Sequence, residues 1–246
     1  MFPAVNAQDG GQLRWRTIER GRDTMLELME AIEKRHSVRN FTDRPLEGET
    51  ARALQEWVDQ CSRESGLHLQ LVTNEPRAFS GPMARYGSFH NVRNYLVLAG
   101  VPGKGFEERC GYYGEKILLR AVQLGLCGCW VAMTYSKKHC AGWLAPGEKL
   151  CCVIALGYGM TDGVPHKSKP LEKLYRTKER APAWFMRGIQ AAQLAPTAMN
   201  RQQFMLSLED GAVRARALPG PYARIDLGIV KYHFEAAAGR EGWRWR

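Results

Sequence analysis

One short segment near the start of the chain concentrates groups that bind phosphate. The run Arg35-His36-Ser37-Val38-Arg39 holds two guanidinium groups and a hydroxyl. A guanidinium presents a planar fork of donors and a serine hydroxyl adds a short one, so this set suits a doubly charged phosphate. Because Arg35 and Arg39 are four residues apart, the alternative is that they line one solvated face of a helix.

A second segment, near the end of the chain, joins small residues to amides. Ala195-Pro196-Thr197-Ala198 is followed by Met199-Asn200-Arg201-Gln202-Gln203-Phe204. Small side chains let a backbone approach a flat ligand closely. Taken alone, the proline-containing run predicts only the end of a helix. About 160 residues separate this segment from the first.

The apolar pattern predicts the elements that position both segments. A short helix beginning near Leu26 leads into Arg35, and a helix over Ala183 to Leu194 leads into the Pro196 loop. The other predicted helices are 46–65, ended by Gly66, 115–124 and 225–238. The predicted strands are 67–72, 94–100, 150–159 and a hairpin of 204–208 with 212–218, whereas 127–133 is predicted as strand or loop and 167–180 as a basic connector.

Together the two segments resemble the nitroreductase family of flavoproteins. Members of that family usually open with Arg-x-Ser-x-Arg or Arg-x-Ser-x-Lys and carry Ala-Pro-Ser-x-x-Asn-x-Gln-Pro within the next few dozen residues. They are generally intertwined dimers in which the two motifs at one flavin come from different subunits. The runs Ala-Pro-Thr-Ala-Met-Asn-Arg-Gln and Ile-Asp-Leu-Gly-Ile resemble a thermophile-type branch in which one chain supplies both motifs.

The resemblance covers roughly residues 25 to 243 and implies a fold. We expect an α+β, nitroreductase-like domain over 25–246, with a central, mostly antiparallel sheet flanked by helices and an internal pseudo-two-fold. Residues 25–165 would form a first half, and 166–246 a second half that mimics another subunit. A weak repeat pairs Glu115 to Trp130 with Asp226 to Trp243. The polar, basic residues 1–24 are expected to be a disordered leader.

Carried over by position, the resemblance implies a site for flavin mononucleotide (FMN). The phosphate and ribityl chain would be held by Arg35, His36, Ser37 and Arg39, with Lys167 and Lys169 completing the phosphate site. The backbone of Cys129, Trp130, Val131, Ala132 and Met133 would lie along the ring system and offer an N–H toward its reactive nitrogen N5. The opposite side and the polar rim would meet Pro196, Thr197, Ala198, Asn200 and Gln203. No catalytic side chain is assigned.

The implied activity is an FMN-dependent oxidoreductase of nitroreductase type. NADH or NADPH would reduce the flavin, and an electron-poor small molecule such as a nitroaromatic or quinone would then accept the electrons in a ping-pong cycle. No nucleophile or carboxylate pair is required, because the cofactor stores the electrons. One alternative keeps the flavin but drops the activity, leaving a carrier or sensor.

Net charge supports a different alternative. The formal net charge of +10 favours anionic partners, and the chain ends in tryptophans and arginines, so a basic nucleic-acid-binding module is the rival reading. Much of the charge lies in the two ends and in the predicted phosphate site, and no nucleic-acid motif is recognised. We therefore expect a small-molecule electron acceptor as partner, with neither nucleic acid nor membrane. The chain would be a monomer with an internal pseudo-dimer or a homodimer.

Cysteine usage and hydropathy bear on location. No apolar stretch reaches the roughly 18 to 20 residues of a membrane span, and the start of the chain lacks a signal-peptide core, so a cytoplasmic protein is expected. Seven cysteines, an odd number, indicate reduced thiols rather than a disulfide framework. Their spacing is poor for zinc, and no metal site is predicted.

Overall fold

The computed structural model describes residues 28–142, 144–178, 180–239 and 242–246, so the predicted leader lies outside the described residues. The helices are α1 (Leu28–Lys34), α2 (Gly48–Ser65), α3 (Pro82–Tyr86), α4 (Phe106–Gln123), α5 (Lys137–Ala141), α6 (Ala183–Gln193) and α7 (Ala223–Ala238). The strands are β1 (His68–Val72), β2 (Asn94–Gly100), β3 (Cys127–Val131), β4 (Lys149–Gly157), β5 (Tyr175–Thr177), β6 (Phe204–Glu209), β7 (Ala212–Ala217) and β8 (Arg244–Trp245).

The first half of the chain builds an antiparallel sheet in the order β1-β2-β4-β3. Every residue of β2 is buried, which explains its continuous apolar run. On one face, Leu96 and Leu98 share a core cluster with Leu54 of α2 and Ile117 of α4. On the other face, alternate residues of β2 pack against the segment that joins β1 to β2. This sheet with its flanking helices confirms the predicted α+β class.

The second half adds a sheet of its own, in the order β5-β6-β7-β8. Strands β6 and β7 form the predicted hairpin around Asp210 and Gly211, whose φ angles of 51° and 70° suit a two-residue turn. The basic connector predicted over 167–180 is wrong in part. It contains a 3-10 turn, Leu171–Lys173, and the strand β5, which pairs parallel to β6. Three residues are too few to show an alternating pattern, so this strand depends on its tertiary partner.

Helices α4 and α7 cross in close contact at the centre of the molecule. A Cβ on Gly111 would lie 2.0 Å from the Ile225 carbonyl oxygen, and one on Gly228 would lie 2.0 Å from the Glu108 carbonyl oxygen. Each glycine thus contacts the carbonyl oxygen of the residue that lies three positions before the other glycine in the opposite helix. The contact is therefore locally two-fold, and its register pairs Gly111 with Gly228 rather than Glu115 with Asp226 as the sequence repeat suggested.

This crossing also explains a misplaced helix boundary. Helix α4 begins at Phe106, nine residues before the predicted start at Glu115. Gly111 and Gly114 weaken the local helix propensity of that stretch, which hides the first turns from a propensity argument. The glycines are needed for packing, since a Cβ on Gly114 would also lie 2.4 Å from the Trp130 ring.

Three further observations concern the part of the chain that the structure describes. None of the helices in the described ranges has both the length and the apolar character needed to cross a bilayer. All seven cysteines are free thiols. Within the same ranges, no three His, Cys, Asp or Glu side chains group closely enough to hold a metal ion.

Candidate functional site

The first segment, Arg35 to Arg39, leaves α1 and runs extended along the edge of β3. The Val38 N–H donates to the Gly128 carbonyl at 3.1 Å, and Ser37 pairs with Gly128 in a parallel bridge. Side chains alternate in an extended segment, so Val38 is buried whereas Ser37 and Arg39 are exposed. Arg35, at the end of the helix, is only 4% exposed. The two arginines therefore do not share a solvated helix face.

Arg35 belongs to a buried polar cluster. Its Nε lies 3.7 Å from Oε1 of Glu115 in α4, and Glu115 is fully buried. His233 of α7, also fully buried, has Nε2 at 2.8 Å from the same Oε1 and Nδ1 at 3.0 Å from the Ala191 carbonyl oxygen. The Trp130 indole N–H donates to Glu115 Oε2 at 2.7 Å. The predicted site residues Arg35 and Trp130 thus meet through a carboxylate.

Neither Glu115 nor His233 stands out as a site residue in the sequence motifs. Burial works against ionisation of Glu115, but the hydrogen bond and charge of His233, with the charge of Arg35, outweigh it and hold the pKa of this carboxyl below its usual value. The only local signal is a charged or titratable side chain on an otherwise apolar helix. Glu115 and His233 lie 118 positions apart in the chain, and Arg35 belongs to a third segment, so no motif links them.

Cys129 lies where the first segment meets β3. Its thiol is buried and interacts with Ser37 and Arg39. Burial raises the pKa of Cys129 although the charge of Arg39 and the Ser37 hydroxyl oppose the change. The thiol is therefore a protonated packing group and not a reactive thiolate.

The predicted ring-facing backbone leaves β3 and reaches the surface within three residues. Val131 is buried, Ala132 is half-buried and Met133 is 59% exposed. Gly87 packs against Thr134, the residue after Met133, because a Cβ on Gly87 would lie 2.6 Å from Thr134 Oγ1. The loop after α3 therefore borders the same surface as Met133.

Residues after β4 return to the first segment. A Cβ on Gly163 would lie 2.8 Å from the Cβ of His36, and His166 Nε2 lies 3.2 Å from the Gln193 carbonyl oxygen at the end of α6. Burial and the neighbouring charges of Arg35 and His36 lower the pKa of His166, against the effect of its bond to Gln193. His166, which the sequence analysis did not single out, thus connects the first segment with the second half of the chain.

Lys167 and Lys169 lie against the second segment. The Lys167 carbonyl accepts a hydrogen bond of 2.7 Å from Asn200 Nδ2. The Lys169 N–H donates to Gln202 Oε1 at 2.6 Å, and Lys169 Nζ donates to the Gln202 carbonyl at 3.1 Å. The Lys167 side chain is exposed, whereas the Lys169 ammonium is already used within the protein.

The second segment is a tightly anchored loop between α6 and β6. The Ala198 N–H lies 3.0 and 3.1 Å from the two carboxylate oxygens of Asp226 in α7. The Gln202 N–H donates to Thr197 Oγ1 at 2.9 Å, and Gln202 Nε2 donates to the Gln193 carbonyl at 2.8 Å. Pro196, Thr197 and Ala198 are half-buried, Asn200 is exposed, and left-handed φ angles occur at Met199, Asn200 and Gln202.

Gln202, the neighbour of the predicted cofactor-binding residue Gln203, is the amide that ties this loop to its surroundings. Gln202 is 1% exposed. Gln203 is half-buried, its carbonyl accepts from the Leu218 N–H at 2.9 Å, and its side chain lies beside Gly220. These contacts turn Gln203 toward β7. The sequence pattern holds two adjacent glutamines and cannot distinguish them.

The first and second segments are connected through hydrogen bonds of His166, Lys169 and Gln193. Gln193 Nε2 donates to the Lys169 carbonyl at 2.7 Å. The Gln193 carbonyl accepts hydrogen bonds from the side chains of both His166 and Gln202. The residues fit a phosphate, because Arg35 Nε is buried without a hydrogen-bond partner while Ser37 and Arg39 offer exposed donors beside it. The described site therefore combines a buried guanidinium whose Nε has no hydrogen-bond partner with a small-residue loop.

Comparisons with known proteins identify the family and the fold of the chain. A crystal structure of a "putative nitroreductase" from Thermotoga maritima is 20% identical, covers 91% of this chain and 88% of that chain, and has a TM-score of 0.64. A "putative nitroreductase in complex with FMN" from Desulfovibrio desulfuricans is 18% identical, with 63% and 98% covered and a TM-score of 0.48. No curated protein matches this chain. A family model described as "Putative TM nitroreductase" matches residues 27–238, so the chain belongs to this nitroreductase family.

Proposed function

We propose that the chain is a flavin oxidoreductase that binds FMN. The observation that carries this proposal is the unpartnered, buried Arg35 Nε beside the exposed Ser37 and Arg39. A buried guanidinium nitrogen without a hydrogen-bond partner is costly, and Glu115 lies 3.7 Å from it, so an anion is the natural complement of this position. Membership of the family and the FMN named for one structural neighbour support the choice of cofactor.

Each part of the site would have its own role toward FMN. Arg35, Ser37 and Arg39 would hold the phosphate, with Lys167 near enough in the fold to add charge. The backbone from Val131 to Met133 would face one side of the ring, and the loop from Pro196 to Asn200 the other. Bound FMN would supply hydride acceptance and electron storage. The chain would bind and orient it and shield one face from water.

NADH or NADPH as donor, and a nitroaromatic or quinone as acceptor, complete the proposal. Large apolar side chains are exposed around the site, with Met133 at 59%, Met199 at 64% and Tyr86 at 84%. Such side chains suit flat, apolar molecules that bind briefly and leave. The two substrates would use this surface in turn, which gives ping-pong kinetics.

The absorption spectrum of the purified chain tests the cofactor. We expect flavin bands, and one FMN per chain after titration. A chain that stays colourless after incubation with FMN contradicts the proposal. Steady-state oxidation of NADH or NADPH with menadione or a nitroaromatic then separates an enzyme from a carrier, because a carrier binds FMN without turnover.

We also propose that one chain forms a complete site and that no nucleic acid is bound. The symmetric crossing at Gly111 and Gly228 supports a fused pseudo-dimer. The tryptophans that a nucleic-acid module would need for stacking are occupied inside the fold. Trp243 stacks on Trp184 with ring centroids 5.7 Å apart, and Trp245 packs 5.4 Å from Phe234.

A further inference from the structure

The buried cluster of Arg35, Glu115 and His233 lies between the two halves of the chain. Glu115 comes from α4 of the first half and His233 from α7 of the second. Both are completely buried, and Arg35 is 4% exposed. Of these three residues, only Arg35 is proposed to contact FMN. The proposed function therefore gives no role to Glu115 and His233.

The surroundings of His233 define its protonation. Its Nδ1 faces the Ala191 carbonyl oxygen at 3.0 Å, and its Nε2 faces Glu115 Oε1 at 2.8 Å. A carbonyl and an ionised carboxylate can only accept hydrogen bonds, so both ring nitrogens must donate. His233 is therefore an imidazolium that pairs with Glu115, while the neighbouring His166 bonds to a different carbonyl, that of Gln193.

Distances decide how the negative charge of Glu115 is shared. His233 lies 2.8 Å from Oε1, and Trp130 donates to Oε2 at 2.7 Å, whereas Arg35 Nε lies 3.7 Å away, beyond hydrogen-bonding distance. One carboxylate thus faces two cations and bonds directly to only one of them. The cluster keeps a single positive charge, located on Arg35.

We infer that His233 is a positioning residue that neutralises Glu115 and so leaves the Arg35 charge free for the phosphate of FMN. This inference rests on the proposed function. It assigns the second half of the chain a part in phosphate recognition that needs no contact with the ligand. It also predicts selection of the phosphorylated flavin, FMN, over riboflavin, which has the same ring but no phosphate.

A purely structural role for His233 predicts something different. The cluster also ties α4, α6 and α7 together, so its loss could loosen the whole site. In that case FMN and riboflavin would lose affinity to the same extent. The ratio of the two affinities therefore separates a charge effect from a packing effect.

The test is His233→Gln, which removes the positive charge and keeps a donor for Glu115 or Ala191. Affinities of FMN and riboflavin are measured by quenching of flavin fluorescence. We expect the FMN affinity to fall at least about tenfold, because Glu115 then pairs with Arg35, while the riboflavin affinity changes less than about threefold. His139→Gln is the matched control, because the His139 side chain is exposed on α5, and it leaves both affinities unchanged.

Removal of the competing carboxylate supplies the rescue. In Glu115→Gln combined with His233→Gln, we expect the FMN-to-riboflavin affinity ratio to return to within about threefold of the unmodified chain. If His233→Gln does not fold by circular dichroism, Glu115→Gln alone carries the test and should leave the ratio equal or higher. A ratio unchanged in His233→Gln, or lowered in Glu115→Gln, overturns the inference. If the unmodified chain binds neither flavin, the proposed function itself fails.

Discussion

At the scale of single residues, the first segment contains one buried arginine and one exposed arginine. Arg35 terminates α1 and lies in the core, whereas Arg39 follows an extended stretch and faces solvent. The exposed group can attract an anion, and the buried one can hold it with less screening. A run of five residues thereby offers two electrostatic environments for one phosphate.

Arg35→Gln should therefore weaken FMN binding strongly. A charge-assisted hydrogen bond contributes about 1.5 to 3 kcal/mol, so we expect the dissociation constant to rise roughly 10- to 150-fold by fluorescence titration. Arg52→Gln is the control, because Arg52 is exposed on α2 and pairs only with Glu49 at 3.6 Å. Equal FMN affinity in both variants would show that Arg35 does not contact the phosphate.

At the scale of elements, the loop after α6 keeps its shape through contacts made by its neighbours. Met199, Asn200 and Gln202 all have left-handed backbone angles, a conformation that costs about 1 to 3 kcal/mol for such residues. Hydrogen bonds from the Ala198 N–H to Asp226 and from the Gln202 N–H to Thr197 compensate for this cost. The anchoring carboxylate of Asp226 belongs to α7, so the position of this helix controls the loop.

Asp226 makes this anchor sensitive to pH. Burial raises the pKa of Asp226 from 3.8 to about 7, although the Ala198 N–H opposes the change. Between these values the folded chain binds more protons than the unfolded chain, so stability falls as pH rises toward 7. Asp226→Asn stays neutral and should match the unmodified chain near pH 4, yet exceed its unfolding free energy by up to about 4 kcal/mol at pH 8.

Urea denaturation at the two pH values measures this difference. Asp59→Asn is the control, because Asp59 is exposed on α2 and accepts a bond only from Gln55. Its effect on stability should be small at both values. An Asp226→Asn effect that is the same at pH 4 and pH 8 would contradict a buried, proton-binding carboxyl.

The helix crossing gives a second prediction at this scale. Gly228→Ala would place a methyl group 2.0 Å from the Glu108 carbonyl oxygen, and backbone cannot yield as a flexible side chain does. We expect a loss of about 3 kcal/mol or more in the free energy of unfolding. Gly103→Ala, where a Cβ meets nothing within 4 Å, should change stability by less than about 0.5 kcal/mol. Similar losses in both variants would exclude a tight crossing.

At the scale of the whole molecule, α4 and α7 occupy equivalent places in the two halves. Gly105 and Tyr222, each six residues before the crossing glycine of its helix, both adopt left-handed φ angles, of 75° and 62°. Strands β2 and β7 precede these helices, and β3 and β8 follow them. The two helices thus share a glycine position, a left-handed residue before it and flanking strands, which is what the proposed pseudo-dimer requires.

A complementation experiment tests whether one chain forms its own site. Arg35→Glu and Ala198→Trp should each abolish FMN binding, the first by charge and the second by bulk against the half-buried loop. Co-expressed with different tags, the two variants should remain without FMN, because each molecule contains one damaged segment. Recovery of FMN in the mixed preparation would show that the site is shared between two chains.

Local sequence was sufficient to predict the elements whose structure depends mainly on their own residues. The apolar run of β2 was predicted with its observed bounds, Asn94–Gly100, and the hairpin at Asp210-Gly211 follows from turn chemistry. Helix α4 and strand β5 were misjudged. In α4, Gly111 and Gly114 are required for packing and lower the helix propensity. Strand β5 is too short to show an alternating pattern. Both elements are therefore explained only by the elements that pack or pair with them.

The sequence by itself determined the types of groups at the candidate site, which are the guanidinium and hydroxyl donors of Arg35, Ser37 and Arg39 and the small-residue loop, along with the α+β class. Only the tertiary structure decided that Arg35 is buried, that His233 pairs with Glu115, and that Gln202 rather than Gln203 anchors the loop. The reason is physical. Composition and spacing set which hydrogen bonds a segment can make, whereas burial and net charge depend on residues brought together from distant parts of the chain, such as Glu115 and His233, which lie 118 positions apart.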